Sequence, residues 1–195
     1  MTQATPLLRG QDRAFWQQAA LVLGGSALIA VAAQVAVPLW PVPVTLQTLA
    51  ILMVGLTLGS RLGAMTVLAY LAEGAMGLPV FANGGAGLAY MAGPTGGFLL
   101  GYVAMAWFAG FAIERGLARG VISTAVCSLY ATAMLYIPGV AWPFAVASAF
   151  GVEAAWASTS ALTLWTGWVL PFLIGDAIKA VLAAVAVTGL SRRKA

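Results

Sequence analysis

The chain has 195 residues, of which 62% are hydrophobic and only 7% are charged. Soluble domains carry about 25% charged residues, so nine basic and five acidic side chains are too few to cover a surface that faces water. A soluble protein is therefore excluded. The mean hydropathy of +0.98 is typical of a chain that crosses a membrane several times.

The composition also excludes several kinds of chemistry. The sequence has no histidine, and Cys127 is its single cysteine, so histidine-dependent catalytic dyads, Cys/His metal sites and intrachain disulfides are ruled out. The Gly-rich run at 93–97 lacks the Lys and the Ser or Thr that end a phosphate-binding loop. We therefore predict no enzyme activity, no ATPase site, no metal and no cofactor. The dispersed basic residues give no reason to expect nucleic acid binding.

The apolar runs predict an all-α membrane protein with one integral membrane domain over residues 1–195 and six transmembrane helices. The predicted helices cover residues 16–37, 45–60, 61–77, 97–113, 120–137 and 166–190. A lipid-exposed span needs about 20 apolar residues, so we expect neighbouring helices to shelter the short second and third spans. A short helix lying on the outer membrane surface is predicted at 143–157.

Two irregular segments interrupt the apolar runs, one Pro-rich at 37–44 and one Gly-rich at 74–97. Irregular backbone at membrane depth is tolerated only where it is buried in protein or lines a cavity. Both segments are therefore candidate walls of a ligand site. The composition of the second, with apolar side chains among its glycines, favours a folded lid or plug over a flexible linker.

The basic residues predict the orientation. Eight of the nine would lie on one side of a six-span protein: Arg9, Arg13, Arg61, Arg115, Arg119, Arg192, Arg193 and Lys194. Since cytoplasmic loops are enriched in Lys and Arg, both termini are predicted to be cytoplasmic. The tryptophans of the outer connections, with Trp168, are interpreted as an interfacial belt.

The ninth basic residue, Lys179, lies in the last predicted span, and Asp176 precedes it by three residues on the same helical face. Each charge costs about 2.5–3.5 kcal/mol at the centre of a membrane helix. The two residues could form an ion pair that only satisfies itself. We favour a ligand site, because a buried ion pair rarely stabilises a fold better than apolar residues of the same volume.

Three further features have both a structural and a functional interpretation. Asn83, in the Gly-rich segment, has one amide that could bind a cyclic amide or urea, or it could serve only a turn. Gln47 and Thr45 could bond a ligand or a neighbouring helix. Small residues at four-residue spacing in the first span, such as Ala20 and Gly24, or Ser26 and Ala30, could serve internal packing or a docking surface.

Four ordered motifs resemble the BioY family, the biotin-specific S components of energy-coupling-factor (ECF) transporters. The motifs are Pro41-Val-Pro-Val-Thr-Leu-Gln-Thr-Leu49, Gly77-Leu-Pro-Val-Phe-Ala82 with Asn83-Gly84-Gly85, Gly93-Pro-Thr-Gly-Gly97, and Gly175-Asp176-x-x-Lys179. The resemblance covers about residues 15 to 190. It implies a six-helix S component in the bacterial cytoplasmic membrane that binds biotin on the outer face. It also implies docking to a transmembrane T component driven by two ATPases.

Carried over by position, the resemblance places Asn83, Asp176 and Lys179 in a biotin pocket. Phe81, Tyr90 and Gln47 are weaker candidates for its walls. The small-residue face of the first span, at Ala20, Gly24 and Ala30, is the expected docking surface for the T component. The alternative is a stand-alone ion-coupled carrier for biotin or a similar molecule, which the lack of an evident inverted repeat disfavours.

Overall fold

A computed structural model describes residues 15–149, 156–157 and 160–192. It is a helical bundle with one small hairpin and one 3-10 turn. The helices are α1 (Phe15–Gln34), α2 (Gln47–Leu58), α3 (Ser60–Ala75), α4 (Gly87–Met91), α5 (Gly96–Glu114), α6 (Val121–Ala149), α7 (Ala161–Trp168) and α8 (Leu170–Arg192). The strands are β1 (Ala36–Val37) and β2 (Val44–Thr45), which pair antiparallel, and the 3-10 turn is Ala82–Gly84.

The predicted all-α membrane fold is confirmed, but the predicted count of six helices is not. Seven of the described α-helices have eight residues or more. Four segments are long and apolar enough to cross a membrane alone: Phe15–Gln34, Gly96–Glu114, Val121–Val146 and Ala161–Leu190. The shorter α2 and α3 lie among these.

Helix α2 shows how a short span is accommodated. Nine of its twelve residues are buried, so the prediction that neighbours shelter it is confirmed. Gly59 ends α2 with φ 87°, a conformation that favours glycine. The Glu114 carboxylate then accepts hydrogen bonds from Ser60 N (2.8 Å) and Ser60 Oγ (2.7 Å) at the start of α3, which ties the α2–α3 turn to the end of α5.

Helix α6 differs from the prediction. It runs without interruption from Val121 to Ala149, through Pro138 and Pro143, so the helix end at 137 and the separate surface helix from 143 are wrong up to residue 149. Residues 150–155, in the remainder of that predicted helix, lie outside the described residues. Membrane helices tolerate proline where packing against neighbours compensates for the lost hydrogen bond. Here Pro143 is fully buried.

The last span also differs from the predicted 166–190. It begins at Ala161 and breaks at Val169, whose φ and ψ are −125° and −60°. Pro171 explains the break, because its ring has no N–H to donate and its position disfavours helical backbone just before it. Trp168, at the break, is 1% exposed. It therefore belongs to the core and not to the interfacial belt.

The packing of α5 differs sharply from that of α1. A Cβ on Gly101 would lie 2.8 Å from the Leu135 side chain, and one on Gly97 would collide with the Pro138 carbonyl, so α5 and α6 are in backbone contact. In an apolar stretch of 18 residues in α5, 67% of the residues are buried, against 11% in the corresponding stretch of α1. Helix α1 therefore lies at the edge of the bundle. The buried Ser26 hydroxyl donates from it to the Glu73 carboxylate of α3.

Candidate ligand-binding site

A cavity of about 330 Å³, including its mouth, lies between α2, α5, α6, α8 and the β1–β2 hairpin. Its lining residues are Val42, Pro43, Thr45, Thr48, Phe98, Tyr102, Leu135, Tyr136, Phe172, Asp176 and Lys179. The Pro-rich segment forms part of the wall, through Val42 and Pro43. The cavity lies at the end of the bundle opposite Arg61 and Arg115.

The polar side of the cavity is an ion pair held between three helices. Lys179 Nζ lies 2.7 Å from Asp176 Oδ1, and both side chains are 7% exposed. Tyr136 Oη, on α6, donates to Asp176 Oδ2 at 2.6 Å. Thr48, on α2, completes a group of four residues that we call the polar cluster: Thr48, Tyr136, Asp176 and Lys179.

The Lys179 ammonium uses all three of its N–H donors within the protein. Besides the carboxylate, it donates to Thr48 Oγ1 at 2.6 Å and to the Thr45 carbonyl at 3.2 Å. Hydrogen bonds of this kind offset the desolvation of a buried charge. The polar cluster thus satisfies its own charges while lining an open cavity, so both interpretations of the pair remain compatible with its geometry.

Aromatic rings supply the apolar wall. Phe98 lies at the N-terminal end of α5, and its ring centroid is 6.1 Å from Trp168, 6.0 Å from Phe172 and 6.2 Å from Tyr136. The Phe98 and Trp168 rings are nearly parallel, at 4°. Gly139 allows this arrangement, because a Cβ there would lie 2.6 Å from the Phe98 ring. The cavity therefore joins a charged, hydrogen-bonding side to an apolar wall.

A chain of hydrogen bonds runs from the cavity to the Gly-rich connection between α3 and α5, residues 76–95. Thr45 Oγ1 donates to Gln47 Oε1 (3.0 Å), and Gln47 Nε2 donates to Tyr70 Oη (2.5 Å). Tyr70 Oη then donates to the Val80 carbonyl (3.1 Å). Gln47 is buried and does not line the cavity, so in this structure it links the hairpin to α3.

The Gly-rich connection is folded, as its composition predicts. Phe81 is fully buried and stacks on Tyr90 with a centroid distance of 5.1 Å and an interplanar angle of 19°. Its ring fills a notch at Gly74, where any Cβ would collide with it. On the far side, Trp142 Nε1 donates to the Gly93 carbonyl at 3.0 Å. The connection is thus anchored to both α3 and α6.

Asn83 lies at the tip of this connection. Its φ of 56° and ψ of 33° are left-handed, a conformation that asparagine adopts more readily than most residues, and its side chain is exposed. Of the six residues predicted to bind ligand, the structure brings Asp176 and Lys179 together at the cavity. Asn83, Phe81, Tyr90 and Gln47 do not line it here, and their roles in ligand binding stay predictions.

The three predicted docking residues lie on α1, but they do not share one face. Ala20 and Gly24 are exposed, and a Cβ on Gly24 would meet nothing within 4 Å. Ala30 is half-buried, and six residues at about 100° each place it roughly a third of a turn from Gly24. The adjacent Gly25 packs against α3, where an added Cβ would lie 2.7 Å from Thr66.

The comparisons with known proteins agree on one family. The model of the BioY family matches residues 3–195. The chain belongs to the BioY family. A probable biotin transporter BioY from Pyrococcus horikoshii is 35% identical over 159 residues, covering 82% of this chain and 86% of that protein. The biotin transporter BioY of Rhodobacter capsulatus is 37% identical over 167 residues, covering 81% of each.

A solved structure supports the same assignment. The crystal structure of the S-component for biotin from an ECF-type ABC transporter superposes with a TM-score of 0.75 and 26% identity. The alignment covers 92% of this chain and 95% of that one. The S-component-like fold implied by the motifs is therefore confirmed. The named relatives of this BioY family member are transporters and not enzymes.

Two members of the polar cluster in this BioY family member, Thr48 and Tyr136, were not among the predicted site residues. Thr48 lies in the motif at 41–49, three residues after Thr45, whose carbonyl also accepts from Lys179. Tyr136 is a hydrogen-bonding aromatic residue inside an apolar span, where a buried hydroxyl needs a partner. Either signal could have directed attention to the residues that now surround Asp176.

Proposed function

We propose that this chain is the biotin-capturing S component of an ECF-type transporter in the bacterial cytoplasmic membrane. It takes biotin from the outer face and releases it inward in concert with a transmembrane T component and two ATPases. The relatives named biotin transporters support this substrate. Arg61, Arg115 and Arg119, exposed at the end of the bundle away from the cavity, support cytoplasmic termini.

The observation that carries the proposal is the pairing of the polar cluster with an aromatic wall in one cavity. The ureido ring of biotin offers two N–H donors and one carbonyl acceptor, and its bicyclic body is apolar. A carboxylate such as Asp176 accepts from the N–H groups, while an ammonium such as Lys179 donates to an oxygen. Phe98 and Phe172 suit the apolar rings.

The Gly-rich connection supplies the remaining proposed contacts. When the Asn83 turn closes over the cavity, the Asn83 amide joins the hydrogen bonds to biotin, and Tyr90 and Phe81, stacked together beside Gly74, form the outer apolar wall. Gln47 takes part through its bond to Tyr70, which in turn holds Val80. Closure of this kind removes water and strengthens each polar contact inside the site.

Lys179 has two possible partners on biotin, the ureido oxygen and the valerate carboxylate. Charge favours the carboxylate, since it carries a full charge opposite to that of the ammonium, whereas the ureido oxygen belongs to a neutral group. Biotin amide, which keeps the ring and loses the charge, distinguishes the two. If Lys179 contacts the carboxylate, the wild type binds biotin amide more weakly than biotin. Lys179→Met, which has lost this contact, binds biotin amide no more weakly than biotin.

The direct test of the substrate is equilibrium binding of labelled biotin to the detergent-purified protein, with other vitamins as competitors. Selective binding that Asp176→Asn, Lys179→Met and Asn83→Gly each weaken supports the proposal. Glycine is chosen at 83 because it accepts the left-handed conformation while removing the amide. If the wild type binds no biotin, the proposed function is wrong. If all variants bind like the wild type, the site is wrong.

Docking of the T component is proposed at the small residues of α1, with the exposed Ala20 and Gly24 at the centre of the surface and the half-buried Ala30 at its edge. Small exposed residues let another helix approach closely, so Ala20→Leu should reduce co-purification of the coupling module and leave biotin binding intact. Ala133→Leu, an identical change at an exposed position of α6, is the matched control. Normal assembly of the Ala20 variant, or uptake of biotin without any coupling ATPase, would argue against the module.

A further inference from the structure

Gln34, the last residue of α1, contacts the turn that carries Asn83. Its side-chain Nε2 donates to the Phe81 carbonyl at 3.0 Å, and its Oε1 accepts from the Gly84 N–H at 3.0 Å. One side chain thus holds both ends of the short segment that contains Asn83. Gln34 was not among the predicted site residues.

The turn also has backbone bonds of its own. The Gly85 N–H donates to the Ala82 carbonyl at 3.1 Å, and the Phe81 N–H donates to the Gly85 carbonyl at 3.0 Å. Neither bond uses the Phe81 carbonyl or the Gly84 N–H, and these are the two groups that the Gln34 amide bonds. An amide from another helix therefore satisfies groups that the turn leaves open and ties the turn to α1.

The direction of the Gln34 amide is fixed by its partners. Its nitrogen faces two carbonyl oxygens, those of Phe81 and, at 3.2 Å, of Ala30 in its own helix. Its oxygen faces an N–H. A flipped amide would set oxygen against oxygen and donor against donor, so this side chain has one favourable orientation.

The two ends of the turn are held by different groups. The Phe81 end is fixed by its buried ring in the Gly74 notch. The Gly84 end has a positive φ of 72° and open space around its Cα, so packing restrains it little. Beside the backbone bond from the Gly85 N–H to the Ala82 carbonyl, the bond from the Gly84 N–H to Gln34 therefore adds a restraint on the half of the turn that includes Asn83.

We infer that Gln34 is a positioning residue that holds the Asn83 turn in the geometry needed for ligand capture. This inference rests on the proposed function, in which Asn83 contacts biotin. Gln34 itself touches no ligand. Its effect on affinity therefore passes through the Asn83 amide, and it disappears once that amide is removed.

The test is a double-mutant cycle measured by biotin binding to the full chain in detergent. Gln34→Met, which keeps the length of the side chain and loses both bonds, should weaken binding roughly 3–10-fold, as expected for partly exposed hydrogen bonds. In an Asn83→Gly background it should cause no further loss. Gln17→Met, the same change at an exposed position near the other end of α1, should bind like the wild type.

A second readout does not depend on the ligand. Gln34→Met should raise hydrogen–deuterium exchange of a peptide containing residues 81–85, while Gln17→Met leaves it unchanged. Unchanged exchange in Gln34→Met overturns the inference whatever the substrate is. Equal weakening of binding in both backgrounds also overturns it, since Gln34 would then act elsewhere. If Gln34→Met exchanges faster than the wild type but the wild type binds no biotin, the restraint of the turn by Gln34 stands and the proposed substrate is wrong.

Discussion

The polar cluster and the Asn83 turn are two parts of one proposed site, and they are built in opposite ways. Asp176 and Lys179 are 7% exposed and bonded to residues of two other helices, whereas Asn83 is an exposed turn residue. Buried charges with fixed partners belong to the fold as much as to the site. A change in the cluster should therefore cost stability and binding together, and a change in the turn should cost binding alone.

The largest effect is expected from Asp176→Asn, which leaves the Lys179 ammonium buried without its carboxylate. Breaking a buried ion pair from one side costs about 3–5 kcal/mol, so the melting temperature in detergent should fall and biotin binding should be lost. The double variant Asp176→Asn/Lys179→Met removes both charges. It should recover much of the lost melting temperature and none of the binding.

The proposed difference between the polar cluster and the Asn83 turn is wrong if Asn83→Gly lowers the melting temperature as much as Asp176→Asn does. It is also wrong if the double variant Asp176→Asn/Lys179→Met binds biotin like the wild type. In the second case the ion pair only satisfies itself, and the ligand contacts must be sought elsewhere in the cavity.

A smaller effect is expected from Gly74→Val. The new side chain would occupy the space of the Phe81 ring, so the ring must leave its notch and the turn loses its fixed end. We expect binding to weaken about tenfold, which is the effect of about 1.4 kcal/mol. Gly24→Val, at a helical glycine with open space around it, is the matched control for the cost of a branched residue. Equal binding by the two variants would contradict the proposed role of the Phe81 anchor.

The smallest effect is expected from Tyr136→Phe. It removes one hydrogen bond to Asp176 and leaves the ion pair intact, so binding should weaken roughly 3–10-fold. Tyr130→Phe, at a position of the same helix that is 65% exposed, should change nothing. Calorimetric titration of both proteins measures the difference, and identical affinities would exclude Tyr136 from the site.

The sequence alone singled out the charged half of the candidate site because charge inside an apolar span is costly. Asp176 and Lys179 share a helical face by their spacing, and that reasoning needs no knowledge of neighbouring helices. Thr48 and Tyr136 come from other helices. Their meeting with Asp176 depends on how the spans pack, and hydropathy does not encode that.

The helix boundaries show the same limit. Prolines at 138 and 143 would be expected to end or kink a helix, yet α6 continues through both, with Pro143 fully buried. Pro171 does break the last span, two residues after Val169. Proline thus breaks one helix and not the other, and the tertiary contacts of each position decide which occurs.

The Lys179 ammonium has no unused N–H, and both oxygens of Asp176 already accept a bond. A ligand acceptor that bonds Lys179 must consequently replace one of the protein bonds that the ammonium already makes. An analogue lacking one matching group leaves a buried donor or acceptor vacant, at about 1–3 kcal/mol for each vacancy. Selectivity then arises from intolerance of incomplete ligands, even where the net gain from the correct one is modest.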